Sequence, residues 1–216
     1  AFGFPLTLLI CWAGAIPSLN ALQIDAVNEF GLLRGENLVI SAPTSSGKTM
    51  IGELAAVHNA LDRHLKTFRK NKLALIWEGE PGDTRTYSYF SLNREVFKFS
   101  KVLRRICVKK GQIVTINLQR IPELPIAMLA CARIGAIHSV ILSAFSAESL
   151  RDRIEDAGAS VLICCDGYYG DGRIINSKAI ADAAMAQLTG IRKAFVVRRS
   201  GMTVDMQKGR DSWWHK

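Results

Sequence analysis

The chain has 216 residues, of which 49% are hydrophobic and 22% are charged, and its formal net charge is +9. This length and composition are typical of a globular protein with a full core, and they exclude an intrinsically disordered chain. Residues 1–60 carry two basic and four acidic groups, whereas residues 61–216 carry 26 basic and 15 acidic groups. The basic excess of the second part suits phosphate-bearing ligands. It forms no Lys/Arg stripe with interleaved aromatic residues, so nucleic acid is not favoured there.

The cysteines and histidines argue against two kinds of site. The five cysteines form no Cys-x-x-Cys pair, and three of them (Cys131, Cys164 and Cys165) lie inside apolar runs. This usage is typical of buried thiols in a reducing compartment, so we expect a cytoplasmic protein without disulfides. The four histidines show no metal-ligand spacing either, and a metal held by protein ligands alone is not expected.

Residues 1–18 form an uncharged, apolar leader. The run is too short to span a membrane, and Pro5 interrupts it. Ala13-Gly14-Ala15 would suit signal-peptide cleavage, but the segment has neither a starting Met nor a basic leader. A buried or disordered leader is therefore favoured, and no membrane partner is expected.

Residues 19–60 have the pattern of a phosphate-binding unit. LNALQIDAVNEFGLL predicts a helix, NLVIS a short buried strand and TMIGELAAVHNAL a second helix. The loop between the strand and the second helix, APTSSGKT, ends in Gly-Lys-Thr as a P-loop does, although Ala42 stands at the usual first glycine. Backbone N–H groups would surround phosphate oxygens, Lys48 would reach the β- and γ-phosphates, and the Thr49 hydroxyl would ligate Mg²⁺. The predicted ATP-binding residues of this loop are Thr44, Ser45, Ser46, Gly47, Lys48 and Thr49.

This segment resembles the superfamily-2 helicases of the DEAD/DExH-box type over about residues 16–57. APTSSGKT is similar to their first ATPase motif, and Gln23 stands where the family places its adenine-reading Gln. The resemblance implies ATP binding and a nucleic-acid partner. Nothing downstream resembles the family's acidic motif. The nearest candidate for a Mg²⁺-holding acid is Asp166, which is followed by Gly167 instead of a Glu.

From Leu61 onward the pattern changes to alternating strands and helices. LDRHLK predicts a basic helical turn, and NKLALIWEGEPGDTRTYSYFSL predicts two strands joined by a turn at Glu80–Asp83. LNREVFKFSKVLRRICV predicts a helix with an apolar face, and KKGQIVTINLQ predicts a turn and a strand. The apolar face of that helix consists of Val96, Phe99, Val102, Leu103 and Ile106.

Ile121–Asp166 is the most regular stretch of the chain. PELPIAMLACARIGA predicts a helix, HSVILSAF a strand, SAESLRDRIEDAGA a helix with Ser146 as its N-cap, and SVLICC a buried strand that ends at Asp166. A loop (GYYGDGR), a helix (NSKAIADAAMAQL), a strand (RKAFVVRRS) and an open-ended tail follow. Strands that alternate with helices of this length predict an α/β fold with a mostly parallel sheet and helices on both faces.

Residues 61–216 resemble the acyl-adenylate-forming family, in its acetyl-CoA synthetase branch. The segments LDRHLK, NKLALIWEGEPGDTRTYSY, VKKG, IPELPIAMLACARIGAIHSV, FSAESLRDRIEDAG and GRDSWWH follow that pattern in order and spacing. The resemblance implies a partial N-terminal domain of an AMP-dependent synthetase or ligase. It also implies the family's cofactors, ATP, Mg²⁺ and CoA. In the family's reaction, acetate and ATP give acetyl-AMP, and the acetyl group then passes to CoA.

The resemblance assigns one ligand loop to this part of the chain. The family grips CoA phosphates with an Arg-Gly-Gly-Arg loop, and the matching positions are Gly170, Asp171, Gly172 and Arg173. Arg173 keeps the second guanidinium, whereas Gly170 replaces the first and Asp171 adds a negative charge. Weakened CoA binding is therefore expected, and Arg173 as a plain surface arginine is an equal alternative.

Two glycine sites of the family carry larger residues in this chain. Ser143-Ala144 replaces a Gly-Gly pair, and Cys107 replaces a Gly ahead of the Lys-Lys-Gly turn. A side chain at such a position predicts strained backbone or a narrowed approach to a ligand.

The residues that carry out the family's chemistry are expected beyond residue 216. They are the Ser/Thr/Gly-rich phosphate loop, the acetate pocket, the ribose-holding Asp and the C-terminal domain with its adenylation Lys. No catalytic residue is assigned to this chain for that reason. The leading hypothesis is an inactive fragment of an acetate–CoA ligase fused behind a helicase P-loop unit. The alternatives are an ATP-binding module of a DEAD/DExH-box helicase and a scaffold that binds no ligand.

Overall fold

A computed structural model describes residues 57–215 of the chain. The predicted leader, the P-loop and Gln23 lie outside the described residues, and the predicted boundaries at residues 18 and 60 stay predictions. The chain divides into two compact units. Within the described residues, the helical unit comprises residues 57–75, Tyr87–Gly111 and Leu129–Ala136, and the sheet unit comprises Ile76–Thr86, Gln112–Met128 and residues 137–215.

The helical unit contains short helical turns and one long helix. The turns are a π-helical turn at His58–Asp62, α1 at Arg63–Leu65 and a 3₁₀ turn at Phe68–Asn71. The long helix, α2, spans Tyr89–Arg105, and Ser88 caps it by accepting a hydrogen bond from the Ser91 N–H. The buried residues of α2 lie on one face, as the helical spacing predicts. They are Leu92, Val96, Phe99, Ser100 and Leu103.

The end of α2 confirms the predicted strain at Cys107. This residue has a φ of 61°, in the left-handed region that favours glycine. Its N–H donates to the Arg104 carbonyl at 2.9 Å, and the Val108 N–H donates to the Leu103 carbonyl at 3.0 Å. These two bonds form a Schellman motif, in which glycine is the usual residue at the position of Cys107.

The sheet unit is built on five parallel strands, which confirms the predicted α/β fold. Their order is β4-β3-β5-β8-β9. The strands are β3 (Ile113–Ile116), β4 (Ile137–Val140), β5 (Val161–Cys165), β8 (Lys193–Val197) and β9 (Asp211–Trp213). The crossover helices are α3 (Glu123–Ile134), whose first half belongs to this unit, α4 (Ala147–Ala157) and α5 (Ser177–Met185).

The core of the sheet unit lies between the sheet and helices α4 and α5. Leu150 and Ile154 of α4 and Ala181 of α5 pack with Leu162 of β5 and Val196 of β8. All five residues of β5 are buried, which is the pattern of a parallel strand covered on both faces. The predicted N-cap of α4 is confirmed, because the Ser146 hydroxyl accepts a hydrogen bond from the Ser149 N–H.

Two smaller pieces of β structure complete the described chain. β1 (Leu73–Glu78) and β2 (Thr84–Ser88) pair with each other, as predicted, across the turn that follows Glu78. β6 (Tyr168–Gly170) and β7 (Arg173–Ile175) form an antiparallel hairpin. No helix among residues 57–215 is long and apolar enough to cross a membrane.

The sequence interpretation was wrong at two places in the sheet unit. GYYGDGR is the β6–β7 hairpin and not a loop, because Asp171 and Gly172 take φ values of 52° and 72° and form the two-residue turn that suits such a hairpin. The tail is not open-ended, since β9 pairs with β8 and extends the sheet. β9 is only three residues long, and its Asp-Ser-Trp sequence carries no strand pattern.

Candidate functional site

The strand order places a crevice at the carboxyl edge of the sheet. The crossover after β3 leads to β4 on one side, whereas the connection after β5 leads to β8 on the other side. Neighbouring strands whose connections diverge leave a gap beyond their carboxyl ends, and ligands of open α/β sheets bind there. A cavity of about 330 Å³ lies in this region of the sheet unit. It is lined by Trp77, Glu78, Gly79, Glu80, Leu118, Gln119, Arg120, Ile121, Leu124, Val140, Leu142, Ser143, Ala144, Tyr169 and Arg199.

Trp77 forms one aromatic wall of this cavity. Its indole N–H donates to the Arg120 carbonyl at 2.6 Å, which fixes the ring. The guanidinium groups of Arg85 and Arg199 stack on the ring, at 4.8 Å and 4.9 Å from its centroid. Arg85 is itself held by two hydrogen bonds, of 2.6 Å and 2.9 Å, to the carboxylate of Glu123. The hydrogen bond and the two stacked guanidinium groups therefore hold the Trp77 ring in place.

Arg199 is a largely buried cation that lines the cavity. Its guanidinium also lies 4.8 Å from the centroid of Tyr169, so it is stacked between two aromatic rings. It donates two hydrogen bonds to Asp83, at 2.7 Å and 2.9 Å. The side chain of Arg199 is only 10% exposed, and its buried Nε has no acceptor among the described residues. The hydrogen bonds from Arg199 hold the pKa of the Asp83 carboxyl below its usual value.

Asp166 holds the loop that carries Arg199. Its buried carboxylate accepts four backbone hydrogen bonds of 2.7–3.0 Å, from Gly167, Arg199, Ser200 and Gly201. Both of its oxygens accept backbone hydrogen bonds, three on Oδ1 and one on Oδ2, an environment that does not favour the alternative in which this acid holds Mg²⁺. No group of three metal-ligating side chains occurs among the described residues. In the structure, Asp166 therefore holds the backbone of the loop that carries Arg199.

The predicted CoA-binding loop lies at the β6–β7 turn, beside this cavity. The Gly172 N–H donates to the carboxylate of Glu80, a cavity-lining residue, at 2.9 Å. Asp171 and Arg173 are both exposed. Arg173 and Gly170 are not among the residues that line the cavity, and the contact of this loop with Glu80 is made by the Gly172 backbone.

Ser143 and Ala144 line the cavity, as expected of positions that approach a ligand. Among the described non-glycine residues, only Cys107 and Asp171 have positive φ, so the Ser143-Ala144 backbone is not strained.

A buried ion-pair network lies at the far end of the sheet. Lys178 is 1% exposed, and its Nζ lies 2.6 Å from Asp182 and 2.9 Å from Asp211. Arg210 reaches both of these acids at 2.6 Å. Burial alone would lower the pKa of Lys178, but the hydrogen bonds to Asp182 and Asp211 raise it above its ordinary value. The network contains two cations and two anions, and it ties α5 to β9.

The thiols of the core agree with the prediction of buried cysteines. Cys131, Cys164 and Cys165 are buried and form no disulfide, whereas Cys107 is exposed. Burial raises the pKa of Cys165 to about 11 and raises the pKa of Cys164 further. Neither core thiol of β5 is set up as a nucleophile, since the reactive species is the thiolate.

Sequence reasoning missed the residues that shape the cavity. Trp77 lies in a predicted strand and Tyr169 in a predicted loop, so neither carried a ligand signal. Arg199 lies in a basic run at the end of β8, and only the loop folded around Asp166 brings it to the cavity. The predicted ATP-binding residues, Gln23 and Thr44 to Thr49, lie outside the described residues.

Comparison with known proteins points to one family for this part of the chain. Residues 61–213 match the sequence model of a family described as AMP-binding enzyme. The chain is 52% identical over 166 residues to acetyl-coenzyme A synthetase of Rubrobacter xylanophilus and 49% identical over 171 residues to that of Gemmatimonas aurantiaca. Each match covers 76% of this chain and 26% of the relative. The chain thus spans about a quarter of the length of these relatives.

A solved structure shares the fold. Acetoacetyl-CoA synthetase from Streptomyces lividans matches 74% of this chain with a TM-score of 0.67 and 24% identity, and the match covers 24% of that protein. The family match begins at residue 61, so it lends no support to the helicase resemblance of residues 16–57 or to a chimeric chain.

Proposed function

Because this chain belongs to the AMP-binding enzyme family, we propose that it is part of an acetate–CoA ligase. That enzyme converts acetate, ATP and CoA to acetyl-CoA, AMP and diphosphate, with Mg²⁺. Two relatives named acetyl-coenzyme A synthetase, which are 52% and 49% identical to this chain over 166 and 171 residues, support this assignment. Buried core cysteines that form no disulfide fit the cytoplasmic location that we propose for it.

The role that we assign to the described residues is CoA binding. The observation that carries it is the Gly172 N–H, which lies beside the cavity at the sheet's carboxyl edge and already holds an anionic oxygen. The loop Gly170, Asp171, Gly172 and Arg173 would hold CoA phosphates through that N–H and the Arg173 guanidinium. The cavity beside it, with its aromatic and apolar wall, would receive the adjoining part of the ligand.

The chemistry of adenylation is not assigned to the described residues. We expect the purified chain to show no turnover above background in a coupled assay with acetate, ATP and CoA, because the resemblance assigns none of the family's adenylation groups to residues 57–215. Measurable turnover would contradict this expectation and would require catalytic groups that the proposal leaves out.

CoA binding is tested by comparing CoA with pantetheine, which has no phosphate. Arg173→Gln should weaken CoA binding about tenfold, the cost of one charge-assisted hydrogen bond, and leave pantetheine binding unchanged. Arg69→Gln, at an exposed arginine of the helical unit, is the matched control. Isothermal titration calorimetry measures the affinities of wild type and both variants for the two ligands. Equal CoA binding by wild type and Arg173→Gln would show that Arg173 does not bind CoA and is a plain surface arginine.

A second candidate function concerns residues 19–60. The Gly-Lys-Thr loop between a predicted strand and a predicted helix favours an ATP-binding module that uses Gln23, Lys48 and Thr49. Lys48→Ala should abolish binding of Mg²⁺-ATP, measured with a fluorescent ATP analogue. Equal, weak binding by wild type and Lys48→Ala would remove this candidate.

A further inference from the structure

The turn between β1 and β2 places two carboxylates on donors at the cavity. Glu80 accepts a hydrogen bond from the Gly172 N–H at 2.9 Å. Asp83 accepts two hydrogen bonds from the Arg199 guanidinium, at 2.7 Å and 2.9 Å. Both donors are positions that a phosphate oxygen would also use, because a backbone N–H in a tight turn and a guanidinium fork are common phosphate ligands.

Arg199 is held by stacking and the Gly172 N–H by the β6–β7 hairpin, whereas the two acids lie in an exposed turn. Arg199 is 10% exposed and stacked between Trp77 and Tyr169, so its guanidinium can exchange partners but cannot swing away. Its partner Asp83 is 45% exposed. The Gly172 N–H belongs to the β6–β7 turn, whose two central residues take positive φ. A competing anion would therefore displace the acids and leave the donors in place.

The turn is also shaped to bring its acids close. The Gly79 N–H donates to the Asp83 carbonyl at 2.7 Å, and the Gly82 N–H donates to the Gly79 carbonyl at 2.8 Å. A side chain at Gly79 would collide with Asp83, Arg199 and Trp77. Glycine at this position therefore lets the turn lie directly against the cavity wall.

We propose that Glu80 and Asp83 are internal competitors that occupy two anion-binding positions, the Gly172 N–H and the Arg199 guanidinium. A ligand with two anionic groups, such as a diphosphate, binds by displacing both carboxylates. Arg199 then becomes a ligand-binding residue of the cavity, in addition to the Gly170–Arg173 loop. This inference rests on the proposed function in one respect, since CoA is the diphosphate-bearing ligand expected there.

The experiment measures the binding of pyrophosphate to the full chain. Glu80→Gln and Asp83→Asn remove one competitor each and keep the shape of the side chain. Glu78→Gln removes the same charge from a neighbouring residue that makes neither of the two contacts. Calorimetry gives the affinities, and the NMR shift of the Gly172 amide reports where pyrophosphate binds. Thermal unfolding checks that each variant is folded.

Glu80→Gln and Asp83→Asn should each tighten pyrophosphate binding about fivefold, and Glu78→Gln should change it less than twofold. Equal tightening by all three variants would mean general charge repulsion and would overturn the proposal. Weaker binding by Glu80→Gln, or no pyrophosphate binding by any variant, would overturn it as well. If the expected pattern is found but CoA binds no better than pyrophosphate, the proposal of competing carboxylates holds and the proposed CoA-binding function fails.

Discussion

Lys178 and Asp211 form an ion pair whose side chains are both removed from water. Their charged atoms lie 2.9 Å apart, and the two side chains are 1% and 0% exposed. Asp211 also accepts hydrogen bonds from Arg210 and from the Gln207 N–H. Since Asp211 belongs to β9 and Lys178 to α5, this pair fixes the last strand of the sheet.

Removing one member of this pair should lower the free energy of unfolding strongly. Asp211→Ala leaves Lys178 and Arg210 with Asp182 as their remaining anion, so we expect a loss of about 3–5 kcal/mol in the free energy of unfolding. Urea denaturation followed by circular dichroism measures it. Asp205→Ala, at an exposed acid of the same tail, is the control and should cost less than about 0.5 kcal/mol. A loss below about 1 kcal/mol for Asp211→Ala would show that the pair is not structural.

The same carboxylate predicts a loss of stability in acid. Burial raises the pKa of Asp211, but the hydrogen bonds from Arg210, Lys178 and the Gln207 N–H outweigh it, and the folded-state pKa lies below the ordinary 3.8. The stabilisation is therefore present above about pH 3.8 and is lost as the pH falls through the lower, folded-state pKa. Unfolding free energies of wild type and Asp211→Asn between pH 6 and pH 2 test this. The difference between them should shrink toward the acid end, and a constant difference would contradict the prediction.

Local patterns were enough to predict the sheet. The alternation of buried runs and helices predicted β3, β4, β5 and β8, because each strand is a short segment with apolar residues, and Ser146 and Asn176 cap two of the crossover helices. β9 and the β6–β7 hairpin were missed. β9 is held by a buried ion network and by pairing with β8, and neither leaves a local signal in the sequence.

The candidate site was predictable only where a family motif covers it. The loop Gly170–Arg173 was found through its resemblance, and it does lie beside a cavity residue. Arg199 and Asp83 are 116 residues apart in the chain, and they meet only because the sheet brings distant loops to one edge. No spacing rule links such positions, so the aromatic stack around Arg199 could not be predicted from the sequence.

Replacing Cys107 with glycine should stabilise the protein. Cys107 has a φ of 61° at the end of α2, and a side chain in this region costs about 1–2 kcal/mol that glycine avoids. Since glycine also makes the unfolded chain more flexible, we expect a net gain of about 0.5–1 kcal/mol for Cys107→Gly. Cys107→Ala is the control, because it removes the thiol and keeps the Cβ. An equal gain for Cys107→Ala in urea denaturation would assign the effect to the thiol and contradict the backbone explanation.

Asp166→Asn should loosen the loop that carries Arg199. The carboxylate accepts four backbone hydrogen bonds, and an amide would turn its NH₂ group toward some of these N–H donors. We expect a loss of about 3 kcal/mol in the free energy of unfolding, and faster hydrogen exchange at the amides of Arg199, Ser200 and Gly201. Asp171→Asn, at an exposed acid of the β6–β7 turn that asparagine suits equally well, is the control. If these three amides keep their wild-type protection in Asp166→Asn, the carboxylate does not position the loop, and Arg199 is held by its aromatic neighbours and Asp83 alone.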